Sequence, residues 1–476
     1  MEEMQIKNKV VKAGAGYVIG NYLLKGITFL SAPIFTRLLS TDEYGIFGAY
    51  ISYEAILYII IGLALHSSIA NAKYEYKDKY NEYISSVIVL VLLNTFLWMI
   101  IANVFYGGFH KLLSLSRPVL NILILHCFGT AMLQFFNSYV SLNYSVKEFL
   151  KLTSINALGN MGLSILLILT IFQNSRLNGR IIGTALPLIG IAIYIVIYFF
   201  KKCRPVINRQ YWKFAIYYSA PIIPHGISQV ILSSFDRIMI KDLVGAAAAG
   251  LYNFAFTINS LVVVVSTSLD KVWKPWFYER MNEKDYKTIG KRGVEYAFGM
   301  AQFTAVVLML APEVVKILGA REYWGTTPCV VPVLLGGYFT FVYMLPVLVE
   351  YFYSKTKFIA VGSMLAAVLN VVLNYIFIPR YGYIAAAYTT MFTHFLYFLF
   401  HYILAAKIHG HSLFSTSKMF FISAGIVAVG AVAMLLEKYF IVRWLIALIF
   451  AAFSMWWADK NFGVIRVIKK KLGKAE

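Results

Sequence analysis

The sequence predicts an all-α integral membrane protein of about 14 transmembrane helices, and three observations carry that reading. Of 476 residues, 60% are hydrophobic and only 14% charged, far from the roughly 25% charged residues of soluble domains, and the mean hydropathy is +0.69. Runs without Asp, Glu, Lys or Arg recur at 84–106, 181–200, 358–378 and 381–406, each long enough for a hydrocarbon core that takes about 20 residues to cross. These runs are apolar on every face, whereas the strands of a membrane barrel alternate over segments of about ten residues.

The chain opens on a hairpin around which the rest is organised: an apolar segment from Tyr17 carrying Lys25, a polar break at Ser40 to Glu43, and a second apolar segment opening Tyr44-Gly45-Ile46-Phe47. The expected helices are 14–39, 44–70, 84–106, 118–142, 153–174, 181–200, 214–238, 251–269, 294–317, 329–352, 358–378, 384–405, 419–436 and 440–458. The last has uncharged residues only from Trp444 to Ala458, so Arg443 is expected to snorkel to the interface and lengthen the span. Twelve helices with a re-entrant end is the alternative. The polar start at Met1 to Lys12 precedes a segment too long for the core of a cleavable signal, so the first helix is expected to stay. Cys127, Cys203 and Cys329 stand alone, without paired spacing or accompanying histidines, and imply neither disulfide nor metal site.

Orientation follows from the basic residues, because Lys and Arg resist translocation. Thirty of the 43 lie in the two tails and in the loops at 71–83, 143–152, 201–213, 271–292, 354–357 and 407–418. The other loops carry nine, and Lys25, Arg37, Arg237 and Lys316 fall inside helices. Both termini are therefore expected in the cytoplasm. Dispersed over short loops facing anionic lipid, these residues also explain the net charge of +21 without nucleic acid. The outer loops are too short for an extracytoplasmic catalytic domain. The longest inner loop, 271–292, mixes Trp273, Trp276, Phe277 and Tyr278 with basic residues and is expected to lie in the headgroup layer.

Weak internal symmetry points to a duplicated transporter. Tyr44-Gly45-Ile46-Phe47 falls on Ala249-Gly250-Leu251-Tyr252 at an offset of 205, Tyr144-Ser145 and Phe149 on Tyr353-Ser354 and Phe358 at 209, and Gly179-Arg180-Ile181 on Gly382-Tyr383-Ile384 at 203. The expected organisation is an N-terminal lobe at 1–205, a C-terminal lobe at 206–410, and two further helices with a basic tail at 411–476.

Thr36-Arg37-Leu38-Leu39 with Glu43-Tyr44-Gly45, Asp236-Arg237 with Gly245 and Gly250-Leu251-Tyr252, and Asn370, Asn374, Ile378-Pro379 and Tyr381-Gly382 before Ala385-Ala386-Ala387 resemble the polysaccharide (O-antigen type) flippases of the multidrug/oligosaccharidyl-lipid/polysaccharide superfamily. The resemblance covers nearly the whole chain. It implies two six-helix lobes around a central cavity in a bacterial inner membrane. It also implies transfer of an undecaprenyl-diphosphate-linked oligosaccharide from the cytoplasmic to the outer leaflet by alternating access. Ala385-Ala386 departs from the family's frequent Gly-Ala pair but leaves close packing open. The expected partners are the lipid-linked oligosaccharide, the bilayer and polysaccharide polymerase machinery, with no nucleic acid. A monomer without cofactor or metal, and without enzymatic activity, is expected.

Such a substrate needs a wet, cationic cavity, and ionisable residues inside helices mark where to look, since they are costly there and face a cavity or a partner. Lys25 and Glu54 lie at similar depths in the first hairpin. They either fasten its two helices together, or Lys25 meets the diphosphate while Glu54 limits its field when the site is empty. Asp236 and Arg237, adjacent and so about 100° apart around a helix, cannot face one direction. Arg237 either snorkels, lines the cavity or meets Arg37 at a contact between lobes. His66, His225 and His394 can hydrogen-bond sugar hydroxyls or simply join helices. The candidate cavity residues are thus Lys25, Arg37, Glu54, His66, His225 and Arg237. Pro33, Pro221, Pro224 and Pro346 permit bending, and Glu54, Glu295 and Glu350 are candidate coupling carboxylates, with membrane potential, proton and sodium all open as energy source. The rival readings are a drug or metabolite exporter of the same superfamily and a membrane glycosyltransferase or acyltransferase. The latter lacks a carboxylate pair or His-Asp constellation on a roomy loop.

Overall fold

The computed structural model describes residues 26–27, 29–143 and 145–463, and among these it contains helices and no strand. Twelve of the helices are long and apolar enough to cross a membrane. The chain divides into two compact units, Met1–Gly250 and Leu251–Glu476.

In the first unit, α1 (29–38) is followed by α2 (Thr41–Ile61), whose start is fixed by the polar break. Ser40 Oγ accepts from the Glu43 amide at 3.2 Å and Glu43 Oε2 accepts from the Ser40 amide at 3.0 Å. This reciprocal pair satisfies two amides that a helix start leaves without partners. The expected single helix over 44–70 is corrected. At Gly62 the chain leaves the helix through Leu63 and Ala64, both at left-handed φ (49° and 48°), makes a 3₁₀ turn at Leu65–Ser68 and resumes as α3 (Ile69–Glu75). Asn94 of α4 (Tyr80–Val104) donates to the Ile60 and Ile61 carbonyls at 3.1 and 2.8 Å, capping carbonyls that the helix end frees.

A short α5 (Tyr106–Leu113) occupies what was expected to be loop, and α6 (Arg117–Leu142), α7 (Val146–Leu169) and α8 (Arg176–Lys202) follow. The α6 helix packs against α2 and α8, and α7 against α8, around buried Tyr50, Leu123, Met132, Phe136, Ile195 and Phe199. The expected helix at 214–238 is three pieces: α9 (Arg209–Ser219), α10 (Ile222–Ser234) and α11 (Asp236–Leu243). Pro221 caps α10 and has no amide to donate, so the chain turns at Ala220-Pro221. Ser219 meets Ser67 at 3.1 Å, and Ser52 of α2 donates to the Ser234 carbonyl at 2.9 Å beside the second break. The helix α12 (Ala246–Asn282) begins in this unit with its first turn against the start of α2. A Cβ on Gly45 would overlap the Ala246 carbonyl oxygen, and one on Gly250 the Thr41 carbonyl oxygen. The two glycines matched in the duplicated sequence therefore meet at a crossing that no larger residue fits.

In the second unit, α12 continues unbroken through the expected inner loop to Asn282, then turns into α13 (Tyr286–Leu318). The expectation of a headgroup-lying segment is thereby corrected. Trp273 and Phe277 are buried, and Trp273 packs on Tyr296 of α13 at 4.8 Å between ring centroids. Asp285 caps α13, its carboxylate accepting from the Thr288 amide at 3.2 Å, and the hydroxyl and amide of Thr288 together hold its carboxyl below the ordinary range. The helix α14 (Thr327–Phe352) lies at the core, packed by α16 (Tyr383–His409), α13 and α17 (Thr416–Leu435), while α15 (Thr356–Tyr381) covers α16. The final helix, α18 (Phe440–Phe462), packs on α13. Arg443 does not snorkel. It is 2% exposed and forms a two-pronged pair with Glu313 at 2.5 and 2.7 Å, with a third bond to the Met309 carbonyl at 2.6 Å.

Candidate functional site

The polar interior of the first unit is built on α2. Two turns of this helix present Tyr50, Ser52, Tyr53 and Glu54, each directed to a different neighbour. Tyr50 Oη lies 3.1 Å from His126 Nδ1 of α6, the two rings stacked. Tyr53 Oη accepts from Lys241 of α11 at 3.0 Å, and Lys241 also pairs with Asp242 at 2.9 Å. Glu54 is buried at 8% exposure within reach of the Thr130 hydroxyl, and its Oε1 has no hydrogen-bond partner among the described residues. An unsatisfied carboxylate oxygen in a membrane interior is expensive, so this is where an additional cation, proton or hydroxyl gains most.

Lys25, the partner expected for Glu54, lies outside the described residues. Arg37 is exposed at the end of α1, with Nη1 donating to the Pro33 carbonyl at 2.7 Å. His66 is half-buried in the 3₁₀ turn after α2, not on a helical face as expected. His225 is half-buried on α10, and Arg237 on α11 donates to the Ser233 carbonyl at 3.3 Å. Both α10 and α11 pack against α2, so Glu54, His225 and Arg237 stand on neighbouring elements of one unit.

Arg180 was not singled out as a site residue from the sequence, and Asn370 and Asn374 appeared there only as motif residues. Arg180 of α8 donates to Asn160 Oδ1 at 2.8 Å and Ser164 Oγ at 2.9 Å, with its guanidinium over the rings of Phe35 and Phe47 at 3.7 and 4.5 Å. Cation–π contact of this kind strengthens where water is excluded. In the second unit, Asn370 donates to Thr390 Oγ1 at 3.1 Å, Asn374 to Asn370 Oδ1 at 3.2 Å, and Thr389 to Asn374. The paired asparagines of the sequence motif thus bind α15 to α16. Of the candidate coupling carboxylates, Glu295 pairs with Arg292 at 2.7 Å and Glu350 Oε1 meets His401 at 2.5 Å, while Glu350 Oε2 and Glu54 Oε1 have no hydrogen-bond partner among the described residues.

Spanning helices with charged and hydrogen-bonding side chains turned into their packed interiors define a multi-pass membrane protein. The model of the polysaccharide biosynthesis protein family matches residues 10–281, more than half of the sequence, and the chain belongs to that family. It is 23% identical over 389 residues to Lsg locus putative protein 1 of Haemophilus influenzae, covering 76% of this chain and 90% of that one. It is 20% identical over 459 residues to an uncharacterized membrane protein of Methanocaldococcus jannaschii, with 89% of each chain covered. Among solved structures it resembles the lipid II flippase MurJ in its inward closed conformation, with TM-score 0.69 at 15% identity over 94% of this chain and 98% of that one. An inward-facing multidrug resistance MATE family transporter of the MOP superfamily gives TM-score 0.63 at 14% identity, with 82% and 96% covered. At these identities the likeness is one of fold.

Proposed function

We propose that this chain is a flippase that moves an undecaprenyl-diphosphate-linked oligosaccharide from the cytoplasmic to the outer leaflet of a bacterial inner membrane, with both termini cytoplasmic, as a step of surface polysaccharide synthesis. The observation that carries the reading is a polysaccharide-biosynthesis family match on a multi-pass chain with the fold of a lipid II flippase. Two six-helix lobes alternate access to a cavity, and Lys25, Arg37, Glu54, His66, His225 and Arg237 are assigned to its wall. Lys25 and the arginines neutralise diphosphate, while the histidines hydrogen-bond sugar hydroxyls. The break at Pro221 supplies the flexible segment such a cycle needs.

The test is deletion of the gene in its host followed by leaflet assay of the lipid-linked oligosaccharide with a membrane-impermeant glycan-modifying reagent. The expected result is accumulation on the cytoplasmic leaflet, reversed by the wild-type gene. Unchanged leaflet distribution rejects the reading. The fold shared with multidrug MATE transporters favours drug export as the second reading; that reading predicts altered drug susceptibility in the deletion strain with glycan export intact.

A further inference from the structure

Glu350 and His401 sit where α14 and α16 pack, both side chains 0% exposed, with Oε1 and Nδ1 2.5 Å apart. Their outer atoms, Glu350 Oε2 and His401 Nε2, are buried without a hydrogen-bond partner among the described residues. Gly362 of α15 faces the imidazole, where a Cβ would come within 2.9 Å of Nε2. The ring is therefore closed over by helix backbone and not by a polar side chain.

The charge count makes this arrangement responsive. A proton lies between Nδ1 and Oε1. With that proton alone the pair bears one net negative charge and Nε2 presents a bare lone pair. A second proton, taken up at Nε2, makes the pair neutral overall and turns Nε2–H into a donor without an acceptor. Each state leaves a different buried group unsatisfied, and a buried polar group without a partner favours any rearrangement that supplies one. Separation of α15 from α16 at Gly362 does so by opening Nε2.

The other titratable groups nearby do not fix the pair in one state. On α16, Tyr397 packs on His401 at 4.6 Å between centroids, and on α14, Tyr343 lies at 5.9 Å. Tyr351 of α14 feels Glu350 and Asp270 of α12, and Asp270 in turn feels Lys271 and Lys274 of its own helix. Tyr278 of α12 also acts on Tyr351. The buried residues of α13 and α17 include no ionisable side chain, and α15 offers Gly362. Glu350 is two residues from the end of α14, about 3 Å along the axis, so a proton has a short way to travel from the surface beyond that helix end.

We propose that Glu350 and His401 form a proton-binding site whose occupancy is linked to the packing of α15 on α16, so that each transport cycle takes up and releases a proton there. The proposal rests on the transport reading above, and its ligand is the proton itself.

The test uses the full chain in lipid nanodiscs with nitrogen-15-labelled histidine. The His401 resonance, assigned by its loss in His401→Gln, is followed between about pH 5 and 9, alongside hydrogen exchange of α15. The expected result is a titration of His401 with a parallel change in α15 protection in wild type, both absent in Glu350→Gln. A His401 resonance and α15 protection that stay constant across that range overturn the proposal and leave a fixed clamp. Wild type decides this alone should Glu350→Gln fail to fold. In proteoliposomes carrying a fluorescent undecaprenyl-diphosphate disaccharide, a pH gradient is expected to accelerate flipping by wild type but not by Glu350→Gln. Flipping indifferent to the gradient in wild type overturns the coupling while the transport reading stands. Titration without any flipping sinks the transport reading and leaves the proton site.

Discussion

The broken path α9–α11 and the continuous α14 invite comparison because both are rich in proline. The α14 helix carries Pro332 and Pro346 in its interior and still runs unbroken over 26 residues, whereas Pro221 ends α9 and a new helix begins after it. Neighbours account for the difference. Most of α14 is buried, including every residue from Cys329 to Phe339, while α10 buries only Ser228 and Leu232. A proline removes one backbone hydrogen bond wherever it stands, but a tightly packed helix has nowhere to bend. The packed unit also holds the Arg443–Glu313 pair, in which each charged side chain closes on the other.

The largest expected effect breaks the packed side of that comparison. Arg443→Met strands Glu313 and should lower stability by about 3–5 kcal/mol, whereas adding Glu313→Leu should return most of it, since the loss comes from an unpaired buried charge. Thermal unfolding of the purified protein in detergent reads both. Next in size is Gly337→Ala in α14, whose Cβ would overlap Asn259 Oδ1 and lie 3.0 Å from Val262; overpacking of this kind costs about 1–3 kcal/mol. Gly226→Ala in α10 meets the Ile59 side chain, with Cδ1 at 3.3 Å and Cγ2 at 3.9 Å, and should stay within about 0.5 kcal/mol of wild type.

Pro221→Ala sharpens the loose side. It should leave unfolding within about 1 kcal/mol of wild type yet slow oligosaccharide flipping in the leaflet assay, because a continuous helix resists bending. Equal rates in the two proteins would remove the break from the mechanism. The smallest effect is expected at Asp285. Its carboxyl is depressed in the folded state by the Thr288 hydroxyl and amide, so its contribution is present above the unfolded value of about 3.9 and fades as pH falls through the lower folded value. The protection factors of amides in the first turn of α13, which correct for the intrinsic pH dependence of exchange, should fall at that acid limb in wild type and stay constant there in Asp285→Asn.

Much of the fold was legible because hydropathy marks where a chain must hide its backbone. The expected spans at 118–142 and 329–352 fall almost on Arg117–Leu142 and Thr327–Phe352. What escaped was decided by distant partners. Gly62-Leu63-Ala64 is as apolar as its flanks, and the break there is capped by Asn94, more than thirty residues on. The basic residues after 269 mark a membrane edge, which is not a helix end, so α12 runs on. Arg443 reads as a snorkelling residue until Glu313, 130 positions earlier, is seen beside it. Glu54 and Glu350 were visible as charges within apolar runs, but only folding shows that one of them is met by a histidine and the other lies near Thr130.

The length of α12 has a mechanical consequence. Thirty-seven residues make a rod about 55 Å long at ~1.5 Å per residue, against a hydrocarbon core of about 30 Å. By length alone some 25 Å exceeds what is needed to cross that core, and the Trp273–Tyr296 contact ties this helix to α13. It acts as a needle on a dial: a tilt of about 10° within the bilayer displaces the tip near Asn282 by roughly 4 Å. A spin label at that tip would report motion of the buried helix without touching anything inside the membrane.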